Sequence, residues 1–324
     1  MSSLDPTGMV SAAKAVDESG AVPSTPEGKA IEGRSPWLLG WQRLRRDRVA
    51  MISLVVIALI ILMAIFAPLV TALTGHPPNE QYRQIGLTPD GLPKGPTGQF
   101  LLGTDDLGRD ILVRIAYGAR VSLLVGVVST GIAVTIGVVI GLAAGFFGGI
   151  VDTLLARLVD VALTMPFLLV AIALVSITGP SLTITILVIG FFSWASVARI
   201  VRGQVLSLRE REFVEAARSL GASDPRIMFV DILPNVLAPV IVYTTLLIPV
   251  VIVTEAALTF LGLGLPPPTA DWGGMISDGQ QYYTTAWWFI MFPGVALLLT
   301  TLAFNLFGDG VRDAFDPRSD QLLN

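Results

Sequence analysis

Residue types able to carry enzymatic chemistry are scarce in this chain, and the scarcity narrows what it can do. Cysteine is absent and histidine occurs once, at His76. A thiolate nucleophile, a disulfide and a HExxH zinc site are therefore out of reach. A phosphate-cradling P-loop needs Gly-Lys followed by Ser or Thr. The only lysines, Lys14, Lys29 and Lys94, are followed by Ala15, Ala30 and Gly95. ATP and magnesium thus have no binding loop here. A serine protease working inside a membrane would want a Gly-x-Ser-Gly turn with a histidine partner, and neither is present. No catalytic residue, cofactor or metal ligand is assigned, and His76, alone in a polar loop, reads as a solvated side chain.

What remains is charge set in apolar surroundings, which is expensive in lipid and needs a reason. Arg157 and Asp160 lie three residues apart on one helical face. That spacing permits a local ion pair, and a gate contact is the sharper use of the same groups. Glu255 is more isolated, near the end of an apolar run. It reads either as a carboxylate bonded to a neighbouring helix or as one facing an internal cavity.

A third group of residues is arranged for contact rather than catalysis. Residues 209–220 are good helix formers, and Gly221 is well placed to stop that helix. Asp224 followed by Pro225 offers an N-cap and a first-turn proline for a second helix, continuing to Leu233, Pro234 and Asn235. Two short helices at an angle are expected. Ala216 and Ala217 let a partner approach closely, while Glu215 and Arg218 supply charged contacts at the rim.

The elements that position these groups follow from composition. The chain has 324 residues, 53% of them hydrophobic and 14% charged, with a mean hydropathy of +0.71, too apolar for a soluble domain. The apolar residues form uncharged runs at Val49–Leu73, Val121–Phe147, Val161–Ala198, Ile232–Thr254 and Gly279–Gly308. A crossing needs roughly 20 such residues. The 38 residues of Val161–Ala198 suffice for two, with a turn at Gly179-Pro180. The fold class is therefore all-α and integral to the membrane, with six transmembrane helices.

Orientation follows from the basic residues. In a six-crossing chain sixteen of the 21 Lys and Arg fall on one side, among them Arg43, Arg45, Arg46, Arg48 and the six from Arg199 to Arg226. That side is expected to be the cytoplasm and to hold both termini. Residues 1–36 form a polar tail, expected to be disordered, with no apolar signal-peptide core. Residues 37–73 follow as an amphipathic segment and an uncleaved first crossing. An extracytoplasmic loop (74–118), a core (119–310) containing the cytoplasmic loop 206–235, and a tail (311–324) complete the chain. In the outer loop Ile111, Leu112, Ile115 and Ala116 share a helical face that excludes Arg114, as in a helix lying on the membrane surface. Gly137, Gly141 and Gly145 form a smooth strip for helix packing, with substrate lining as the alternative. Pro166, Pro239, Pro249 and Pro293 are expected to kink their helices.

The run Glu215-Ala216-Ala217, then Gly221, then Leu233-Pro234, resembles the "EAA" loop of permeases of ATP-binding cassette importers. One departure is Asp231, where the pattern has an apolar residue; Ile232 stands one place later. Ser35-Pro36-Trp37, Trp41 and the arginines to Arg48 resemble the start of the C-type subunit of dipeptide and oligopeptide importers. Leu102-Gly-Thr-Asp-Asp-Leu-Gly-Arg-Asp110, Tyr117-Gly-Ala-Arg-Val-Ser122 and Leu258-Thr-Phe-Leu-Gly-Leu-Gly264 extend the resemblance over about Ser35 to Arg318. It implies one helix ahead of a five-helix type I importer core in the bacterial inner membrane. It also implies coupling through Glu215, Ala216, Ala217, Arg218, Gly221, Asp224, Leu233 and Pro234 to ATPase subunits. The implied partners are a second homologous permease, two ATP-binding subunits holding ATP and magnesium, an extracytoplasmic binding protein, the lipid bilayer and a peptide substrate. No nucleic acid is expected. On this resemblance Glu255 could attract a peptide's amino terminus. Nickel or another small solute is the alternative cargo. An ion-coupled secondary transporter is the rival class, but no internal repeat with matched broken helices is visible.

Overall fold

A computed structural model describes residues 36–315, so the expectations for the tails fall outside it, apart from the ends of the first and last helices. Helix α1 (Pro36–Leu44) leads into α2 (Arg48–Ile65), α3 (Ala67–Thr74) and the short α4 (Arg83–Gly86). Then come α5 (Ile111–Phe147), α6 (Gly149–Thr164), α7 (Phe167–Thr178) and α8 (Leu182–Leu208). Helices α9 (Glu212–Ser219) and α10 (Asp224–Arg226), a π-helical turn (Ile227–Ile232), α11 (Leu233–Phe260), α12 (Trp272–Gly279) and α13 (Trp287–Phe315) complete the order. Only two isolated β-bridges occur among the described residues.

Four of the helices start at a side-chain cap that the sequence supplies. Asp47 accepts from the backbone N–H of Val49 and Ala50 at 2.8 and 3.1 Å. Asp110 caps α5 through Leu112, Ser181 caps α8 through Ile184, and Asp271 caps α12 through Gly274.

Helices α2, α5, α8, α11 (with α10 and the π turn) and α13 are each long and apolar enough to cross a membrane. Helices α6 and α7 make a sixth crossing only as a pair, bent by 80° between Thr164 and Phe167. The expected turn at Gly179-Pro180 is present. The break at Met165-Pro166 is deeper than a kink, because proline removes a ladder donor and disfavours helical backbone at the residue before it.

The tightest seam joins α5 and α8, which run parallel, Gly137 meeting Val197 and Gly145 meeting Val205. A Cβ on Gly141 would sit 2.6 Å from the Ala198 carbonyl oxygen, and one on Gly145 the same distance from the Val205 Cβ. The glycine strip is thus filled by α8, which overturns its alternative reading as substrate lining. Arg120 pins the end of α2 by donating to the carbonyls of Ala64 and Ile65. These contacts define two ends of the bundle. One carries α9 and the start of α2; the other carries α12 and the loop 75–110.

Three local expectations are corrected. The Ile111–Tyr117 stretch is not a separate surface helix but the first two turns of the 37-residue α5. Val113 and Arg114 are as buried there as Ile111. The loop closes over them, with the Arg114 guanidinium donating to the carbonyls of Pro78 and Pro268, each at 3.3 Å. His76 is not solvated: its Nδ1 lies 2.7 Å from Asp110 Oδ2 and its ring stacks on Phe100 at 4.7 Å. The second of the two expected short helices is instead the beginning of a 37-residue span, Asp224–Phe260.

Candidate functional site

The candidate site is built on α9, at the end of the bundle where α8 hands over to α11. Its only buried residue is Val214, which joins a core that includes Ile227, Met228 and Ile232. One anchoring side chain on an eight-residue helix leaves the rest of its surface presented outward. Glu215, Ala216 and Arg218 are exposed, Ala217 is half-buried, and Phe213 and Leu220 are 41% and 88% exposed. An apolar side chain as open as Leu220 marks a surface awaiting a partner. Glu212 and Glu215 fall in the first turn and Arg218 in the last, each the sign the helix dipole favours.

The stop at Gly221 is a Schellman motif. Ala222 N–H donates to Ala217 O at 3.1 Å and Gly221 N–H to Arg218 O at 3.0 Å, with Gly221 at φ 81°. That left-handed geometry is strained for any residue with a Cβ. Asp224 does not cap the next helix as expected. Ser223 takes the cap position without a side-chain bond, Asp224 is the first helical residue, and Pro225 follows it.

Beyond it the π turn resolves the conflict posed by Leu233-Pro234. A proline removes its own N–H and crowds the carbonyl four residues back, and a widened turn accommodates this. Asn235 Nδ2 donates to Asp231 O at 2.7 Å, satisfying a carbonyl there. Within this turn Ile232 is fully buried and Asp231 half-buried, so the displaced isoleucine fills the inward position. Leu233 is half-buried and Pro234 exposed. The site's base is held from α8, where Arg209 donates to Gly145 O at 3.2 Å, across to the end of α5.

The remaining predicted residues lie elsewhere. Arg157 and Asp160 are 3.6 Å apart on α6, and Asp160 also meets Arg199 of α8 at 2.8 Å. Glu255 does not face an open cavity. It is fully buried between α5 and α11, accepting from Ser122 and Thr259. Arg199 and the Asp152–Arg202 pair were not singled out from the sequence, because partners 39 and 50 residues apart carry no local spacing signal.

Residues 137–321, the span holding this site, match the family described as binding-protein-dependent transport system inner membrane component. The chain belongs to this family. It is thus an inner-membrane transport permease, one component among the subunits of its system, and not an enzyme. Residues 35–89 match the N-terminal transmembrane domain of oligopeptide transport permease C. The permease is 43% identical over 88% of its length to the dipeptide transport system permease protein of Alkalihalophilus pseudofirmus, covering 90% of it. The same identity and share hold for the di/tripeptide permease of Pseudomonas aeruginosa, of which 93% is covered. The oligopeptide permease of Bacillus subtilis is 41% identical over 88% of this chain and 90% of its own. Among solved structures, the inward-facing MetNI methionine transporter matches with TM-score 0.51 and 20% identity, over 62% of this chain and 96% of that one. That likeness speaks for the fold alone.

Proposed function

We infer that this permease carries di- and oligopeptides across the inner membrane and forms half of the pathway. A second, homologous permease supplies the other half. Two separate ATP-binding subunits drive it and an extracytoplasmic binding protein delivers the cargo. The peptide assignment draws on the substrates named for relatives aligned over most of their length. The coupling role draws on one observation above all: α9 is anchored by Val214, stopped rigidly by Gly221 and exposed along Ala216 and Leu220. A push on that surface reaches α8 and α11 through a packed base rather than a loose loop. The basic residues on the α9 side, among them Arg43, Arg45, Arg46, Arg48 and the six from Arg199 to Arg226, favour a cytoplasmic position for it, which is where ATPase subunits would dock.

The test is reconstitution of the four transport subunits in proteoliposomes with the binding protein outside. ATP-dependent uptake of a labelled tripeptide is expected, and Ala216→Trp should abolish it with loss of ATPase co-purification. Uptake of nickel in place of peptide, or unchanged ATPase binding by Ala216→Trp, would overturn the reading.

A further inference from the structure

The outward surfaces of the spanning helices are of two kinds. On α2 beyond its first residue, Arg48, the exposed side chains are apolar, Ile52, Val55, Leu59 and Leu62 among them, as lipid demands. On α6 and α8 they include charge: Asp160 is 49% and Arg199 58% exposed, and Arg157 is 79% exposed. Arg199 precedes the end of α8 by nine residues, or about 14 Å of helix. Exposed charges are costly against hydrocarbon, so this face is not presented to lipid in the way that of α2 is.

One turn farther along, where α6 and α8 meet α7 and α11, a cavity of about 450 Å3 opens at the α6–α7 break. Ser193, Ser196, Tyr243 and Thr254 bring hydroxyls to it, Phe167 and Phe192 bring rings, and no charged side chain lines it. Hydroxyls and aromatic faces suit a peptide backbone while ignoring the charge of its side chains. Ser196 is three residues before Arg199 and Leu163, another lining residue, three after Asp160. The ion pair therefore stands at the mouth of the cavity on the α9 side.

Two bridges join α6 to α8, and they differ in kind. Arg202 grips both oxygens of Asp152, the second at 2.8 Å, with side chains only 33% and 19% exposed. Such a fork is a fixed staple. Arg199 makes a single contact with Asp160, half in the open, and Arg157 competes for the same carboxylate at 3.6 Å. Two cations share one anion there, leaving one positive charge over.

We propose that this cavity is the transit site for a peptide with free termini, and that the Asp160–Arg199 bridge is its latch. The bridge opens when the peptide's carboxylate takes Arg199 and its ammonium takes Asp160. The inference rests on the peptide reading above. The Asp152–Arg202 staple holds the first turn of α6 on α8, while Asp160 lies about two turns farther on, toward the α6–α7 break at Met165-Pro166, where that end of α6 can swing away from α8.

The experiment compares tripeptide uptake by proteoliposomes holding the complete complex, wild type against Asp160→Asn with Arg199→Gln. That pair keeps shape and a hydrogen bond but removes the charges. Uptake is expected to fall about tenfold, the loss of a charge-assisted contact to the passing terminus, while the same neutral exchange at Asp152 and Arg202 keeps most of it. Since the chain has no native cysteine, Asp160→Cys with Arg199→Cys adds a reversible lock. Reduced, this pair should keep only the residual uptake of the neutral pair, and oxidation should abolish even that reversibly, with the complex intact throughout. Wild-type uptake matched by the neutral pair, or uptake indifferent to the disulfide, overturns the latch alone. Absence of ATP-dependent peptide uptake by the wild type removes the reading beneath it, and the latch falls with that.

Discussion

Ser122 Oγ donates to Glu255 Oε2 at 3.1 Å, tying α5 to α11 at a point where both residues are fully buried. Thr259 donates to the other carboxyl oxygen at 3.3 Å, so each oxygen of Glu255 has a hydroxyl partner. The group is a helix clamp. Glu255→Gln preserves an acceptor and the shape, and uptake should stay within about twofold of wild type, since only one of the two hydroxyl bonds has to rearrange. Glu255→Leu strands two buried hydroxyls, at about 1–3 kcal/mol each. Thermal unfolding of the detergent-solubilised protein should show a clear loss for Leu and little for Gln.

The α5–α8 seam makes a sharper demand. A side chain at Gly141 meets the Ala198 backbone oxygen and the Val201 Cβ at 2.6 and 2.7 Å, and a backbone atom cannot swing aside. Gly141→Val should destabilise by about 1–3 kcal/mol or more, through overpacking and separation of the helices. Gly131→Ala is the control, because nothing lies within 4 Å of its added carbon. Size-exclusion profiles of fluorescently tagged variants would separate the two.

These contacts show where the sequence could be read and where it could not. Charge-free runs reveal crossings because the bilayer sets one length for all of them. Gly137, Gly141 and Gly145 announce a close approach, and Gly221 a helix stop, because each is a local steric property. The partner of the glycine strip is not local, and neither is the ion pair of Asp160 with Arg199, which a chain must fold to create. His76 looked solvated because its polar neighbours mark a loop, yet Asp110 and Phe100 draw it inside from 34 and 24 residues away. Pro166 was visible as a kink, but an 80° break depends on what α6 and α7 pack against.

At the coupling surface, Gly221 is strained by conformation and not by crowding, since an added Cβ meets nothing within 4 Å. Gly221→Asn should therefore be tolerated, because asparagine adopts left-handed backbone at modest strain. Gly221→Pro cannot reach φ 81° and also deletes the N–H that donates to Arg218 O. Membrane insertion should survive in both. ATP-driven uptake should be close to normal for Asn and abolished for Pro, and normal uptake by the proline variant would contradict the lever.

At the opposite end, burial raises the carboxyl of Asp271 from 3.8 to about 6, with Asp278 adding repulsion and the Gly274 N–H opposing. Burial likewise pushes Asp106 and Asp278 upward. An acid whose folded value is raised binds more protons when folded than unfolded, so stability falls as pH rises through the window between the two values. For Asp271 that window runs from 3.8 to about 6, and above it the penalty is complete. The wild-type melting temperature should therefore drop as pH is raised from 4 to 6.5. Asp271→Asn keeps an oxygen for the Gly274 N–H that caps α12 while removing the ionisation. Its melting temperature should vary less across that range and exceed the wild type at pH 7; a variant that melts with the wild-type pH profile would place the titration elsewhere.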